Sequence, residues 1–159
     1  ILLKKGFEVQ LNLVGPIVCR KYSKEIKLLI RNLNIKDKVL FHGRVPYGHE
    51  LFSFFKNSDI FILPSYTEGF PRVIWEAAAN CCPIIATTVG GIPSILKDGI
   101  HGILIPPHNY EALAESIKAI VENKHLRKIM VQNIYKLAHE HTVENCAKNL
   151  SNMILKDNE

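Results

Sequence analysis

Short apolar runs alternate along this chain with stretches whose apolar residues recur every three or four positions. Residues 8–14 read as a strand running into a loop at Gly15-Pro16, and 39–42 as a second strand followed by Gly43-Arg44. Asp59-Ile60-Phe61-Ile62-Leu63, residues 83–86 and residues 103–105 read as three more, the last stopped by Pro106-Pro107. Between them, Lys21 to Asn34 predicts a helix with Tyr22, Ile26, Leu29, Ile30 and Leu33 on one face. Glu50 to Asn57 predicts a short helix with Leu51, Phe54 and Phe55 inward, and Pro93 to Lys97 a shorter helical piece before the turn at Asp98-Gly99. Asn109 is placed to cap a helix carrying Leu113, Ile117, Ile120 and Val121. Helices over 125–139 and 143–156 follow, with inward positions Leu126, Ile129, Met130 and Leu137, then Val143, Cys146, Leu150 and Ile154. Residues 1–6 read as the tail of a helix ending at Gly6. This rhythm predicts an α/β domain over 1–159, built on one parallel sheet with right-handed crossovers.

Composition narrows the class. A length of 159 residues with 47% apolar and 22% charged residues suits one globular domain with its own core. No apolar run approaches the roughly 18–20 residues of a membrane span, and Ile1-Leu2-Leu3-Lys4-Lys5 does not have the form of a signal peptide. The net charge of +5 is explained by solvated lysines. It also suits a phosphate-bearing ligand, or peripheral contact with an anionic membrane surface where lipid-linked acceptors reside. No basic run interleaved with aromatics points to nucleic acid. Cys19, Cys81, Cys82 and Cys146 have no metal or redox spacing, so reduced, mostly buried thiols in a cytoplasmic protein are expected.

The candidate chemistry sits in residues 64–79. Here an apolar strand gives way to a loop carrying Glu68 and the flexible Gly69, then to Pro71, whose fixed φ and missing N–H suit a helix start. An alanine-rich helix follows, with Glu76 about a turn and a half in. In an open α/β sheet such a loop lies at the carboxyl ends of the strands, where ligands bind. Unpaired N–H groups at the helix start favour a phosphate, and the two carboxylates suit hydroxyl groups. Together they describe a site for a nucleotide-linked sugar.

The pattern Pro64-Ser65-x-x-Glu68-Gly69-Phe70-Pro71, with seven residues between Glu68 and Glu76, resembles the donor-site signature of retaining glycosyltransferases of the GT-B fold, of the group 1 or family 4 type. The match continues in order through Pro83 to Thr87, Gly90-Gly91-Ile92-Pro93, Asp98-Gly99 and Gly102 to Pro107. Upstream, Leu11 to Gly15 and Val39 to Val45 fit as well, so the resemblance covers most of residues 7–123. It implies a Rossmann-like three-layer domain, the carboxy-terminal, donor-binding half of such an enzyme. It also implies an acceptor domain and a first strand with a basic loop upstream, so the sequence reads as a fragment. Its open sheet edge, between the strands at 8–14 and 59–63, then invites distortion or self-association.

By that resemblance Glu76 accepts hydrogen bonds from the ribose hydroxyls, and Glu68 is the catalytic-site carboxylate that contacts the donor sugar. The backbone of Gly69, Phe70, Pro71, Arg72 and Val73 lies along the sugar and phosphates. Gly15 approaches the nucleobase or phosphate, Arg44 is placed to neutralise a diphosphate, and Gly90 and Gly91 let the backbone close to the donor or merely form a turn. No metal or other cofactor is implied, and the partners are a nucleoside diphosphate sugar, with UDP or GDP as the nucleotide, and a sugar or lipid-linked acceptor. Two positions depart from the family. Cys81 stands where a glycine closes the helix, so Asn80 is expected to take the left-handed conformation; Ser94 replaces an acid, which puts a sugar contact in question. His139 and His141 lack a third metal ligand at readable spacing and read as a solvated helix end. The expected activity is sugar transfer to an acceptor hydroxyl with retention, the isolated chain binding the donor but hardly turning it over. A sugar-nucleotide epimerase of the same fold and a non-catalytic sugar-nucleotide sensor are the rival readings. One outcome follows from the donor set alone: nucleotide binding should survive EDTA. A tenfold loss of affinity, about 1.4 kcal/mol, would reveal a metal in the site.

Overall fold

A computed structural model describes residues 1–156, except the side chains of Asn149 and of residues 153–156, so Ile154 on the last predicted face lies outside the described side chains. The chain divides into two compact units, Ile1–Leu51 and the residues from Phe52 onward.

The first unit opens with a single 3-10 turn, Leu3–Lys5, closed by Gly6 in the left-handed conformation. Strands β1 (Leu11–Val14) and β2 (Val39–Gly43) pair in parallel, Leu11 opposite Val39 and Leu13 opposite Phe41. A register shift then sets Val14 opposite Gly43. Helix α1 (Arg20–Asn32) connects them and buries Ile30, with Ile26 half-buried one turn earlier. Tyr22, Leu29 and Leu33, expected on that inward face, are exposed. Two strands cover only a narrow stripe of a helix, so the wider apolar face is left to solvent. Helix α2 (His49–Lys56) carries the unit boundary and buries Phe55.

In the second unit β3 (Phe61–Leu63), β4 (Ile84–Thr87) and β5 (Ile103–Ile105) form a parallel sheet in the order β3-β4-β5. All four residues of the central strand are buried, as the continuous apolar run of a two-sided parallel strand requires. Helix α3 (Arg72–Ala79) packs on β4 through Ile74, Ala77 and Ala78, and against α6 (Lys124–Glu140), which buries Met130 and Ile134. Helix α5 (Tyr110–Glu122) packs on β4 and β5, closing a core around Ile85, Ile105 and Ile120. Its cap is as expected: Asn109 Oδ1 accepts from the Ala112 N–H at 2.8 Å. The turn α4 (Ile92–Ile95) and helix α7 (Val143–Lys156) complete the unit.

The architecture is α/β with parallel strands, but the single sheet expected from the sequence is corrected to two. No described segment supplies a strand that pairs with both β1 and β3. On the last helices Val121, Ile129, Val143, Cys146 and Leu150 are exposed where inward positions were expected. Helical spacing marks a stripe, and no described element covers the margins of these. Of the four thiols only Cys82 is buried, which pushes its pKa up to about 12 and keeps it protonated; Cys19, Cys81 and Cys146 are exposed.

The end of α3 corrects a further expectation. Cys81, not Asn80, takes the left-handed conformation, with φ 57° against −97° at Asn80. The reason is hydrogen bonding. The Cys82 N–H reaches the Ala77 carbonyl at 3.0 Å and the Cys81 N–H reaches Ala78 at 3.1 Å, the paired bonds of a Schellman cap centred on residue 81. Asn80 stays near-helical and turns its side-chain amide back to the Glu76 carbonyl at 2.8 Å. A β-carbon at 81 is therefore strained, and Cys81→Gly should stabilise the unit by about 1 kcal/mol, raising the melting midpoint by roughly 2–4 °C. A midpoint that is unchanged or lower by scanning calorimetry would contradict the strained cap.

Candidate functional site

The carboxyl ends of β3 and β4 position most of the candidate residues. The β3–β4 ladder ends where Leu63 faces Ala86, and Pro64 then turns the chain into the loop that leads to α3. Two side chains continue the pairing beyond the ladder. Thr87, buried at the end of β4, donates its hydroxyl proton to the Ser65 carbonyl at 2.7 Å. Ser65 in turn donates to Glu68 Oε1 at 2.6 Å, a short charge-assisted bond that orients a half-buried carboxylate.

Farther along, the same loop rests on the turn after β4. The Gly91 N–H donates to the Gly69 carbonyl at 3.1 Å. A β-carbon at Gly90 would fall on the Glu68 carbonyl oxygen, and one at Gly91 on that of Gly69. Gly90 also has φ +52°. Both glycines are thus required by the approach of the Glu68-Gly69 backbone. Ser94, where a carboxylate was expected by resemblance, donates instead to the Gly91 carbonyl at 2.7 Å and braces the turn from its other side.

Pro71, with φ −71°, leads into α3, and no side chain caps the helix start there. Arg72 is exposed and Val73 half-buried, while the Ile74 N–H turns back to the Pro71 carbonyl at 3.2 Å. Glu76 is half-buried, and its carboxylate has no hydrogen-bond or ion-pair partner among the described residues. Glu68 is held and Glu76 is open, which are different preparations of the same functional group. The structure therefore gathers Glu68, Gly69, Gly90 and Gly91 at one place, with Phe70 to Val73 and Glu76 following along the loop and helix. Gly15 and Arg44 belong to the first unit. There, at the shared carboxyl edge of β1 and β2, the Gly15 N–H donates to the Gly43 carbonyl at 2.8 Å and Arg44 is exposed.

Sequence reasoning passed over several groups that shape the loop. Thr87 has no local signature, because its partner is reached only through the β3–β4 register. Ser65, three residues before Glu68, has a readable spacing. The Tyr66 ring stacks on His108 at 4.1 Å, and His108 has φ 61° after β5. Phe70 lies 6.1 Å from Trp75, which stacks on His141 at 5.2 Å. His141, exposed at the end of α6 as expected, also lies against that ring and makes a 2.9 Å contact of Nδ1 with the Leu137 carbonyl. Among the described residues no group of three or more His, Cys, Asp and Glu could hold a metal ion, and no helix is long and apolar enough to cross a membrane.

A concavity of about 510 Å³ lies elsewhere, lined by Ser58, Asp59, Cys81, Lys124, Arg127 and Lys128. It sits at the amino ends of β3 and β4, away from the edge where parallel sheets bind ligands, and it contains none of the carboxylates discussed above.

Two glycines separate crowding from conformation. Gly99 has φ +71° with open space around its β-carbon position, whereas Gly90 has both a positive φ and the Glu68 carbonyl in the way. Gly99→Ala should cost about 1–2 kcal/mol, and Gly90→Ala roughly 2–4 kcal/mol, in urea unfolding. Equal costs would contradict the close approach of the two loops.

The chain matches the family described as "Glycosyl transferases group 1" over residues 1–137. A D-inositol 3-phosphate glycosyltransferase of Streptomyces griseus is 38% identical over 93 residues, 58% of this chain and 19% of that protein. An uncharacterized glycosyltransferase of Methanocaldococcus jannaschii is 35% identical over 142 residues, 89% of this chain and 39% of that protein. The crystal structure of Anabaena HepE in complex with UDP-glucose matches with a TM-score of 0.81 at 26% identity, over 91% of this chain and 41% of that one. The chain therefore spans between 19% and 41% of the length of these proteins.

Proposed function

This chain belongs to the group 1 glycosyl transferases, and from that premise we propose that it holds a nucleoside diphosphate sugar for transfer to an acceptor hydroxyl. Its fold, α/β and Rossmann-like with parallel sheets, is that of GT-B enzymes. The observation that carries the proposal is the contrast of two carboxylates, Glu68 in the loop at the carboxyl edge of the second sheet and Glu76 on the helix that follows it. Glu68 is oriented by Ser65, with one oxygen left to accept. Glu76 makes no bond to any described residue, so a ligand hydroxyl is its natural partner.

In this reading the start of α3 receives phosphate, since helix N–H groups and the dipole both favour an anion. Glu76 accepts from the ribose hydroxyls and Glu68 from the sugar. The anomeric C–O bond to the nucleoside diphosphate breaks as the acceptor oxygen bonds to that carbon, the hydroxyl proton passing to the departing nucleoside diphosphate, with retention of configuration and without a metal. Gly90 and Gly91 are proposed as the floor beneath the sugar. UDP-glucose is the first donor to test, because the HepE structure contains it. A sugar or lipid-linked acceptor, met in the cytoplasm at a membrane surface, agrees with the +5 charge. Transfer is preferred to epimerisation and to simple sensing because the matched relatives are transferases.

Calorimetry with UDP and UDP-glucose separates the two roles. A hydrogen bond to a charged group is worth roughly 1.5–3 kcal/mol, so Glu76→Ala should weaken both ligands about ten- to a hundredfold. Glu68→Gln should weaken UDP-glucose and leave UDP nearly unchanged. If Glu68→Gln weakens UDP as much as Glu76→Ala does, the assignment of roles is wrong. If neither substitution changes binding, the site is misplaced.

A further inference from the structure

The donor-site reading assigns Glu68 to the sugar but leaves open what aims its carboxylate. We propose that Ser65 and Thr87 are positioning residues, a hydroxyl relay running from the central strand to Glu68; the inference rests on that reading.

The geometry is two hydrogen bonds joined through Ser65, one accepted by its backbone carbonyl and one donated by its hydroxyl. Backbone pairing between β3 and β4 stops where Leu63 faces Ala86. Thr87 Oγ lies 2.7 Å from the Ser65 carbonyl oxygen and 3.5 Å from that of Leu63, so the shorter contact takes its proton. The threonine is 2% exposed, and its hydroxyl has only these protein acceptors to satisfy it. Ser65 is thereby fixed at its backbone by the most buried strand of the unit. Its own single proton goes to Glu68 Oε1 at 2.6 Å. The far side of the loop is fixed independently by the Gly91 N–H on the Gly69 carbonyl. Glu68 is therefore held at its carboxylate and through the backbone on both sides, with its second oxygen unspent.

Such a relay acts by preorganisation. A glutamate free to rotate must be ordered when the sugar arrives, whereas this one is ordered beforehand. The effect is confined to whatever Glu68 touches. Loss of the relay should lower affinity for the sugar-bearing ligand and not for the bare nucleotide, which a general loosening of the fold would not reproduce.

The test is titration of the chain with UDP and UDP-glucose, comparing wild type with Ser65→Ala, Thr87→Val, Thr87→Ser and Glu68→Gln. Ser65→Ala and Thr87→Val should each weaken UDP-glucose by roughly two- to tenfold relative to UDP, and Thr87→Ser should restore the wild-type ratio. In the Glu68→Gln background Ser65→Ala should add nothing, since its effect passes through that carboxylate. Should Thr87→Val fail to fold, Ser65→Ala and the double substitution still decide. A ratio changed by Glu68→Gln but not by Ser65→Ala overturns the relay and leaves the donor site standing. A ratio changed by neither removes the donor-site reading and the relay together.

Discussion

The second unit depends on one close approach, the Glu68-Gly69 backbone lying directly on Gly90 and Gly91. A side chain at either glycine would occupy the space of a carbonyl oxygen, so the loop after β3 keeps its course only while the turn after β4 is bare. That steric rule fixes the first carboxylate relative to the sheet. The rest of the arrangement extends it: Thr87 holds the loop where it leaves β3, the Gly91 N–H holds it before α3, and Ser94 holds the turn itself. Pro71 then starts the helix that carries the second carboxylate, so both acids are set by backbone constraints and not by an ion-pair network.

That dependence explains how much was legible beforehand. Strands were readable because β4 is an unbroken apolar run with both faces covered, and the Asn109 cap because its mechanism is local. The loop chemistry was readable because proline, glycine and glutamate stand at fixed spacing. Three kinds of information were not local. Asn80 and Cys81 were exchanged because the choice of left-handed residue is made by the Ala77 and Ala78 carbonyls, not by side-chain preference. The exposed faces at Tyr22, Leu29, Val143 and Leu150 were misread because periodicity marks a stripe without saying what covers it. Thr87 was missed because only the pairing of β3 with β4 brings it to Ser65.

The two carboxylates also stand in two different settings. Glu68 is half-buried and committed to a serine, which fixes its direction. Glu76, on the rim of a packed helix, has no commitment among the described residues. A group aimed in advance suits a contact whose geometry matters at the reacting carbon, and an open acceptor suits recognition of hydroxyls on a part of the ligand that does not react.

The ligand is proposed to meet the carboxyl edge of β3 and β4, and not the cationic concavity at their amino ends. Amide chemical-shift mapping of the ¹⁵N-labelled chain with UDP-glucose tests it most directly. Shifts concentrated at Gly69, Phe70, Arg72, Val73, Gly90 and Gly91 are the expected result. Shifts concentrated instead at Ser58, Asp59, Cys81 and Lys124 would contradict the account.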